Sequence, residues 1–279
     1  MDAMRELAII IVSFNTRPEL EACLASLAAH PPRTSHDIVV VDNASSDQTP
    51  AALRERWPGT RLIEPGRNLG FAAANNMGIR ASSSEFILLL NSDTLAGAGA
   101  IDTLVETLRR SPDVAAVGPR IVDAAGVAEL SFGRQISPFV EARQKLLTRL
   151  QQRGVAWAVG RVDRMTRTRQ YPDWVSGACL LVRRQDALAA GLLDERYFLY
   201  AEDVDFCEAL RAKGRRILFV PEAEITHLRG RSRASRPAAS ELAYRRSQLA
   251  FYAKHHPRWH PWLKLYLRLK GTLPPETGA

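Results

Sequence analysis

Glu202, Asp203 and Asp205 set three carboxylates within four positions, directly after the apolar and aromatic run Phe198-Leu199-Tyr200-Ala201. Like charges at that density repel, and a carboxylate drawn against an apolar wall has its pKa raised. A carboxylate tuned in this way suits a general base that takes a proton from a hydroxyl. The same acids also suit the first turn of a helix continuing through Leu210 and Arg211, where negative charge complements the dipole. A second group, Asn91-Ser92-Asp93, offers oxygen donors of the kind that join a hard divalent cation to substrate phosphates, or that cap the helix behind them. His227, which follows a strand-like stretch over 217–220, offers an imidazole nitrogen to the same ion, or a structural hydrogen bond.

Such groups need strand ends to hold them. Residues 7–12 are a β-branched run of strand length, followed by Ser13-Phe14-Asn15 and a helix over 19–29. Residues 37–41 repeat the unit, ending in Asp42-Asn43 before a helix over 49–57. A short strand over 61–63, a helix over 71–80 and a buried strand over 85–90 lead to Asn91-Ser92-Asp93. A helix over 101–110 and strands over 114–117 and 177–182 follow. This alternation predicts an α/β fold, with a mainly parallel sheet covered by helices on both faces. Three polar clusters then sit at strand carboxyl ends, where open α/β sheets bind ligands. Asn68-Leu69-Gly70 opens a helix of small residues, which allows either close ligand approach or tight packing on the sheet. There is no Walker loop and no Gly-x-Gly-x-x-Gly after the first strand, which argues against P-loop and NAD chemistry.

With 38 Lys and Arg against 30 Asp and Glu, the net charge of +8 implies an anionic partner. The excess lies largely in 143–169 and 229–270. Nucleic acid is disfavoured, because no helix-turn-helix, zinc-finger or RNA-recognition pattern accompanies the arginines. The longest apolar runs fall far short of the roughly 20 residues that span a bilayer. No signal-peptide pattern opens the chain, so the expectation is a cytoplasmic protein. Cys23, Cys179 and Cys207 have neither disulfide-framework nor zinc spacing and read as reduced apolar residues.

Together these segments resemble the inverting nucleotide-sugar glycosyltransferases of family 2, which have the GT-A fold with a Rossmann-like sheet. The likeness rests on Val12-Ser13-Phe14-Asn15, the stretch from Val40 through Asp42-Asn43 to Asp47, Asn68-Leu69-Gly70-Phe71-Ala72, Leu90-Asn91-Ser92-Asp93, Trp174-Val175-Ser176-Gly177-Ala178, Tyr200-Ala201-Glu202-Asp203-Val204-Asp205, and His227 with Gly230 and Ser232. The overall pattern looks most like bacterial rhamnosyltransferases of cell-wall and O-antigen assembly.

The resemblance implies that Asp42 accepts the imide hydrogen of uracil or thymine. Ser13, Asn15, Asn68, Asn91 and Ser92 would surround the nucleotide, and Arg229 and Arg231 would face the leaving diphosphate. Asp93 and His227 would bind Mg2+ or Mn2+, although Asn91 stands where the family's Asp-x-Asp motif begins with a carboxylate. Asp203 would be the catalytic base, with Glu202, Trp174 and Gly177 on the acceptor side; Trp174 equally suits a core position. The implied donor is dTDP-L-rhamnose, with a UDP-hexose or UDP-N-acetylhexosamine as alternative, and the implied acceptor is a glycan or a polyprenyl-diphosphate sugar. A nucleotide-sugar-binding protein without turnover is a further alternative, suggested by Asn91 and the basic tail.

The expected organisation is a GT-A domain over 1–232, its nucleotide-sugar half about 1–120 and its acceptor half about 121–232, then a basic helical extension over 233–279. Residues 133–169 lack strand pattern and contain an amphipathic helix over 139–152. The tail carries a helix over 238–255 and an amphipathic stretch over 259–270, which suits peripheral attachment to the inner, anionic face of the cytoplasmic membrane or docking on the main domain.

Overall fold

The computed structural model describes residues 5–228 and 237–275. The apolar runs become β1 (Leu7–Ser13), α1 (Arg17–Ala29), β2 (His36–Asp42), α2 (Thr49–Arg56), β3 (Arg61–Ile63), α3 (Phe71–Ala81) and β4 (Phe86–Asn91). Next come β5 (Thr94–Ala96), α4 (Ala100–Arg109), β6 (Val114–Val122), β7 (Ala128–Glu129), β8 (Phe132–Gly133), α5 (Pro138–Gln152) and α6 (Ala156–Met165). The remainder is β9 (Trp174–Val175), β10 (Cys179–Arg183), α7 (Arg184–Ala189), α8 (Glu202–Ala212), β11 (Arg216–His227), α9 (Pro237–His255) and α10 (His260–Leu269).

The main sheet runs β3-β2-β1-β4-β10-β6-β11-β5, with β7 on β6, and β8 pairs with β9 in a separate ribbon. The first four strands are parallel, as the alternation predicts. The second half is mixed: β10 runs antiparallel to both β4 and β6, while β6 and β11 are parallel. Strand direction is not written in an apolar run, because Leu180, Leu181 and Val182 bury equally well either way. The turn at Ser176-Gly177-Ala178 reverses the chain, delivering β10 beside β4.

Strand alternation divides the core in two. Leu7, Ile9 and Ile11 of β1 face α1 and α4 through Leu20, Leu24, Leu104 and Leu108. Ala8 and Ile10 face the opposite side, where α3, α8 and α9 contribute Ile79, Phe206 and Phe251. Helices therefore cover both faces. Each fully buried Leu, Ile or Phe contributes roughly 1.5–3 kcal/mol. Small residues let α3 lie close to β1: a Cβ on Gly78 would fall 2.5 Å from Ile10 Cγ2.

Two stretches depart from the sequence expectations. Residues 156–165, read only as arginine-rich, form α6, which buries Ala158 and Val162. The strand expected to begin at Ile217 runs on to His227, past a register shift between Val220 and Glu224 where Pro221 interrupts the ladder. At the tail, α9 buries Phe251 and Tyr252 in the same core as α8, and α10 buries Leu267. Cys23, Cys179 and Cys207 are buried and free. Burial pushes the Cys23 and Cys207 thiols up to about 12.

Candidate active site

Register brings the first polar residues together. Ser13 and Asp42 are Cα partners at the ends of β1 and β2, and Val12 faces Asn91 across β1 and β4. A chain of buried hydroxyls ties the loops, with Ser13 Oγ 3.1 Å from Thr16 Oγ1 and that atom 3.0 Å from Ser92 Oγ. Asn15, at φ 53°, accepts from the Ser46 N–H at 2.7 Å, which fixes the loop after β2. In that loop Asp42 is 1% exposed, and its Oδ2 accepts the Ser45 N–H at 2.9 Å. Its Oδ1 is buried with no partner among the described residues. Burial pushes the Asp42 carboxyl up against the pull of the Ser45 hydrogen bonds. A buried acceptor at a strand end suits a donor from a ligand.

Asn43 staples the next loop. Its Nδ2 donates to Gly70 O at 3.1 Å and its Oδ1 accepts the Leu69 N–H at 2.9 Å, while Asn68 Oδ1 accepts the Gly70 N–H at 2.9 Å. Gly70 is required there: φ is +82°, and a Cβ would lie 2.5 Å from Phe198 O. The Phe71 N–H donates to that same carbonyl at 2.7 Å. The loop before α3 is thus pinned to the segment leading into the acidic cluster.

That cluster splits by environment. Tyr200 and Ala201 both take left-handed conformations, φ 72° and 69°, before α8 begins at Glu202. For non-glycine residues this costs about 1–3 kcal/mol each, strain of a kind that gathers at functional sites. Asp203, half-buried, accepts the Gly177 N–H on Oδ2 at 2.9 Å and the Val204 N–H on Oδ1 at 2.8 Å. Burial pushes its carboxyl up despite those N–H groups. Glu202 is 5% exposed, its Oε2 has no partner among the described residues, and burial and then the Asp203 charge raise it well above the ordinary value. Asp205, 2% exposed, instead turns inward to Tyr197, Lys254 and His255.

The turn at 176–178 connects these sites. Gly177 holds Asp203, and the next carbonyl, Ala178 O, accepts the Asn91 N–H at 2.9 Å. A Cβ on Gly177 would sit 3.2 Å from Asp203 Cβ and 3.5 Å from Phe71 Cε1. Beyond Asn91, Asp93 Oδ1 lies 3.1 Å from His227 Nε2, because β5 pairs Thr94 with His227. The other ring nitrogen faces Glu129 Oε2 at 3.6 Å. Burial opposes the charge on His227, but Asp93 and Glu129 together raise it to about 9, so the imidazole is cationic at neutral pH.

The family model for glycosyl transferase family 2 matches residues 8–184, which include the ends of β1, β2 and β4 and the turn at 176–178. This chain belongs to glycosyl transferase family 2. A Mycobacterium tuberculosis relative, N-acetylglucosaminyl-diphospho-decaprenol L-rhamnosyltransferase, is 33% identical over 264 residues, covering 91% of this chain and 86% of that protein. The O-antigen biosynthesis protein RfbC of Myxococcus xanthus is 29% identical over 94% of this chain and 20% of its own length. Among solved structures, the mannosyltransferase PcManGT from Pyrobaculum calidifontis, in complex with GDP-Man and Mn2+, superposes with a TM-score of 0.61 over 94% of this chain and 69% of that one, at 20% identity. The fold of this family 2 glycosyltransferase is of the GT-A type, and its activity is nucleotide-sugar-dependent glycosyl transfer.

The glycosyltransferase brings Ser13, Asn15, Asp42, Asn68, Asn91, Ser92, Asp93, Gly177, Glu202, Asp203 and His227 to linked loops at one end of the sheet. Trp174 is 8% exposed, donates its indole N–H to Arg134 O at 3.0 Å, and has Gly133 against its ring. Arg229 and Arg231 lie outside the described residues. Glu129, which joins the candidate site beside His227, has no signal in the sequence, because it comes from the two-residue strand β7, too short to carry a period.

Proposed function

We propose that this enzyme is an inverting rhamnosyltransferase, moving L-rhamnose from dTDP-L-rhamnose to a lipid-linked or polysaccharide acceptor in cell-envelope glycan synthesis. Similarity to the mycobacterial rhamnosyltransferase supports the sugar and the acceptor class. The observation that carries the chemistry is Asp203, a carboxylate aimed by the Gly177 and Val204 N–H groups and made more basic by burial.

Asp42 Oδ1 accepts the imide N–H of the base, filling its missing hydrogen bond. Asp203 takes the proton of an acceptor hydroxyl as its oxygen bonds to the anomeric carbon. The bond from that carbon to the diphosphate oxygen breaks on the opposite face, and a single displacement inverts the centre. Glu202, beside the base, orients the acceptor. Because Asp42 reads only the imide, uracil fits as well as thymine, which keeps a UDP-hexose or UDP-N-acetylhexosamine donor as the second reading.

Asp93 would offer an oxygen to one end of a divalent-ion site, and His227, hydrogen-bonded to it at 3.1 Å, would offer a nitrogen only once the ion displaced its ring proton. Among the described residues no cluster of three or more His, Cys, Asp or Glu is arranged to hold an ion, so the diphosphate and water would complete the shell. Mixed ligation of this kind suits Mn2+ somewhat better than Mg2+. When bound, the ion offsets the charge that develops on the leaving diphosphate. EDTA should lower turnover at least about a hundredfold, since such charge stabilisation is worth several kcal/mol, and Mn2+ should restore it. Full activity in EDTA would remove the ion from the reaction.

Asp42→Ala should raise the donor KM about tenfold or more, the cost of losing a hydrogen bond to a charged acceptor, with kcat nearly kept. An unchanged KM would take Asp42 out of base recognition. A thermal-shift screen of dTDP-rhamnose, UDP-glucose, UDP-N-acetylglucosamine and GDP-mannose, each with Mn2+ or EDTA, tests the donor assignment. The expected result is Mn2+-dependent stabilisation by dTDP-rhamnose; stabilisation by a UDP-sugar alone selects the second reading.

A further inference from the structure

The helix α10 exposes Trp262, Leu265, Tyr266 and Leu269 at helical spacing, while Leu267 is turned into the core. Leu269 is 80% and Trp262 65% exposed, which is unusual for side chains of this size. The stripe continues onto α5 through Phe139, 75% exposed, whose ring meets Trp259 edge-on at 5.9 Å, and then the exposed Leu146 two turns along the same face. His256 also bonds Ile136 O, tying the α9–α10 junction to the entry of α5.

Charge frames this stripe with one sign. From Lys254 to Pro275 the sequence has no Asp or Glu, and it carries Arg258, Lys264, Arg268 and Lys270. On α5 the acid Glu141 points inward, to Lys145, Tyr244, Gln248 and Tyr252, while Arg143 and Arg149 are exposed. An apolar stripe with Trp and Tyr, bordered by cations, suits the headgroup region of a bilayer. A second copy docked on the same face would set these cations against one another, which disfavours a dimer here.

We infer that α5 and α10 together form a docking surface for an anionic membrane leaflet. The surface is coupled to the site: α10 follows α9, whose Ser247 donates to Leu199 O at 2.7 Å and whose Lys254 and His255 hold Asp205 on α8. Docking therefore sets the height of the catalytic helix above the membrane. That consequence rests on the lipid-linked acceptor proposed above; the docking itself does not.

Flotation with phosphatidylcholine vesicles, with and without phosphatidylglycerol, tests the surface using the full chain. The wild type should float with anionic vesicles, stay down with neutral ones, and lose binding as salt rises. Trp262→Ser with Leu269→Ser, and separately Lys264→Glu with Arg268→Glu, should each weaken vesicle binding at least about tenfold. Both alter exposed side chains, so Tm and the donor-induced thermal shift should stay at wild-type values, which separates failure of docking from failure of the donor assignment. Wild-type protein that does not float with anionic vesicles, variants that float as well as wild type, or a solution dimer abolished by Trp262→Ser with Leu269→Ser in place of vesicle binding would each overturn the inference.

Discussion

Asp203→Asn lowers kcat by at least about a hundredfold, the usual reach of a general base, and leaves donor binding close to wild type. The amide keeps the shape of the carboxylate but has no negative charge to accept the acceptor's proton. It also offers N–H to one of the two backbone N–H groups that hold the native side chain, a loss worth about 1 kcal/mol. Tm and the donor-induced thermal shift therefore need to be read beside turnover. The wild-type rate also carries the signature of this base. As the proposed base, Asp203 would act only when deprotonated, and burial raises its pKa, so the rate should fall as pH drops through a value above the ordinary aspartate range. An Asn variant with normal turnover would remove Asp203 from the role, whatever its folding.

Asp205→Ala is expected to be the most destabilising change in the acidic cluster, at about 3 kcal/mol, because it leaves the Lys254 ammonium and the His255 ring without their buried partner. A chain of this size should then melt roughly 5–10 °C lower. The pH dependence of stability follows from the same contacts. Burial alone would raise the Asp205 carboxyl, but the hydrogen bonds and charges of His255 and Lys254 outweigh it, so its folded pKa lies below its unfolded one. Its contribution is thus fully present above the unfolded value and is lost as pH falls through the folded value, in the acid range below about pH 4. Thermal melts of wild type and Asp205→Ala should converge there. A constant gap between the two melts down to the lowest pH would show that Asp205 does not stabilise through its charge.

The contrast between Asp203 and Asp205 marks what the sequence makes legible. Three acids in one stretch announce a site, and the start of α8 at Glu202 follows from them. Which acid meets the Gly177 turn and which holds the tail depends on α9, some 50 residues later in the chain, and no local pattern reports that pairing. The βα units of the first half were readable because each apolar run ends in a polar loop. The antiparallel entry of β10 was not, since direction leaves no trace in the composition of a buried strand. His227 was read as following a strand and instead ends one, so that it faces Asp93 through the β5–β11 ladder. Glu129 had no signal at all: its position depends on a two-residue strand folded back on β6 in a short hairpin, too brief to carry a period.

The central claim, transfer of rhamnose with inversion, is tested most directly by supplying dTDP-β-L-rhamnose with Mn2+ and a short-chain polyprenyl-diphosphate N-acetylglucosamine, then reading the product's anomeric configuration by NMR. The expected product is the α-L-rhamnoside, formed with stoichiometric release of dTDP. A β-linked product, or transfer only from a UDP-sugar run in parallel, would contradict it.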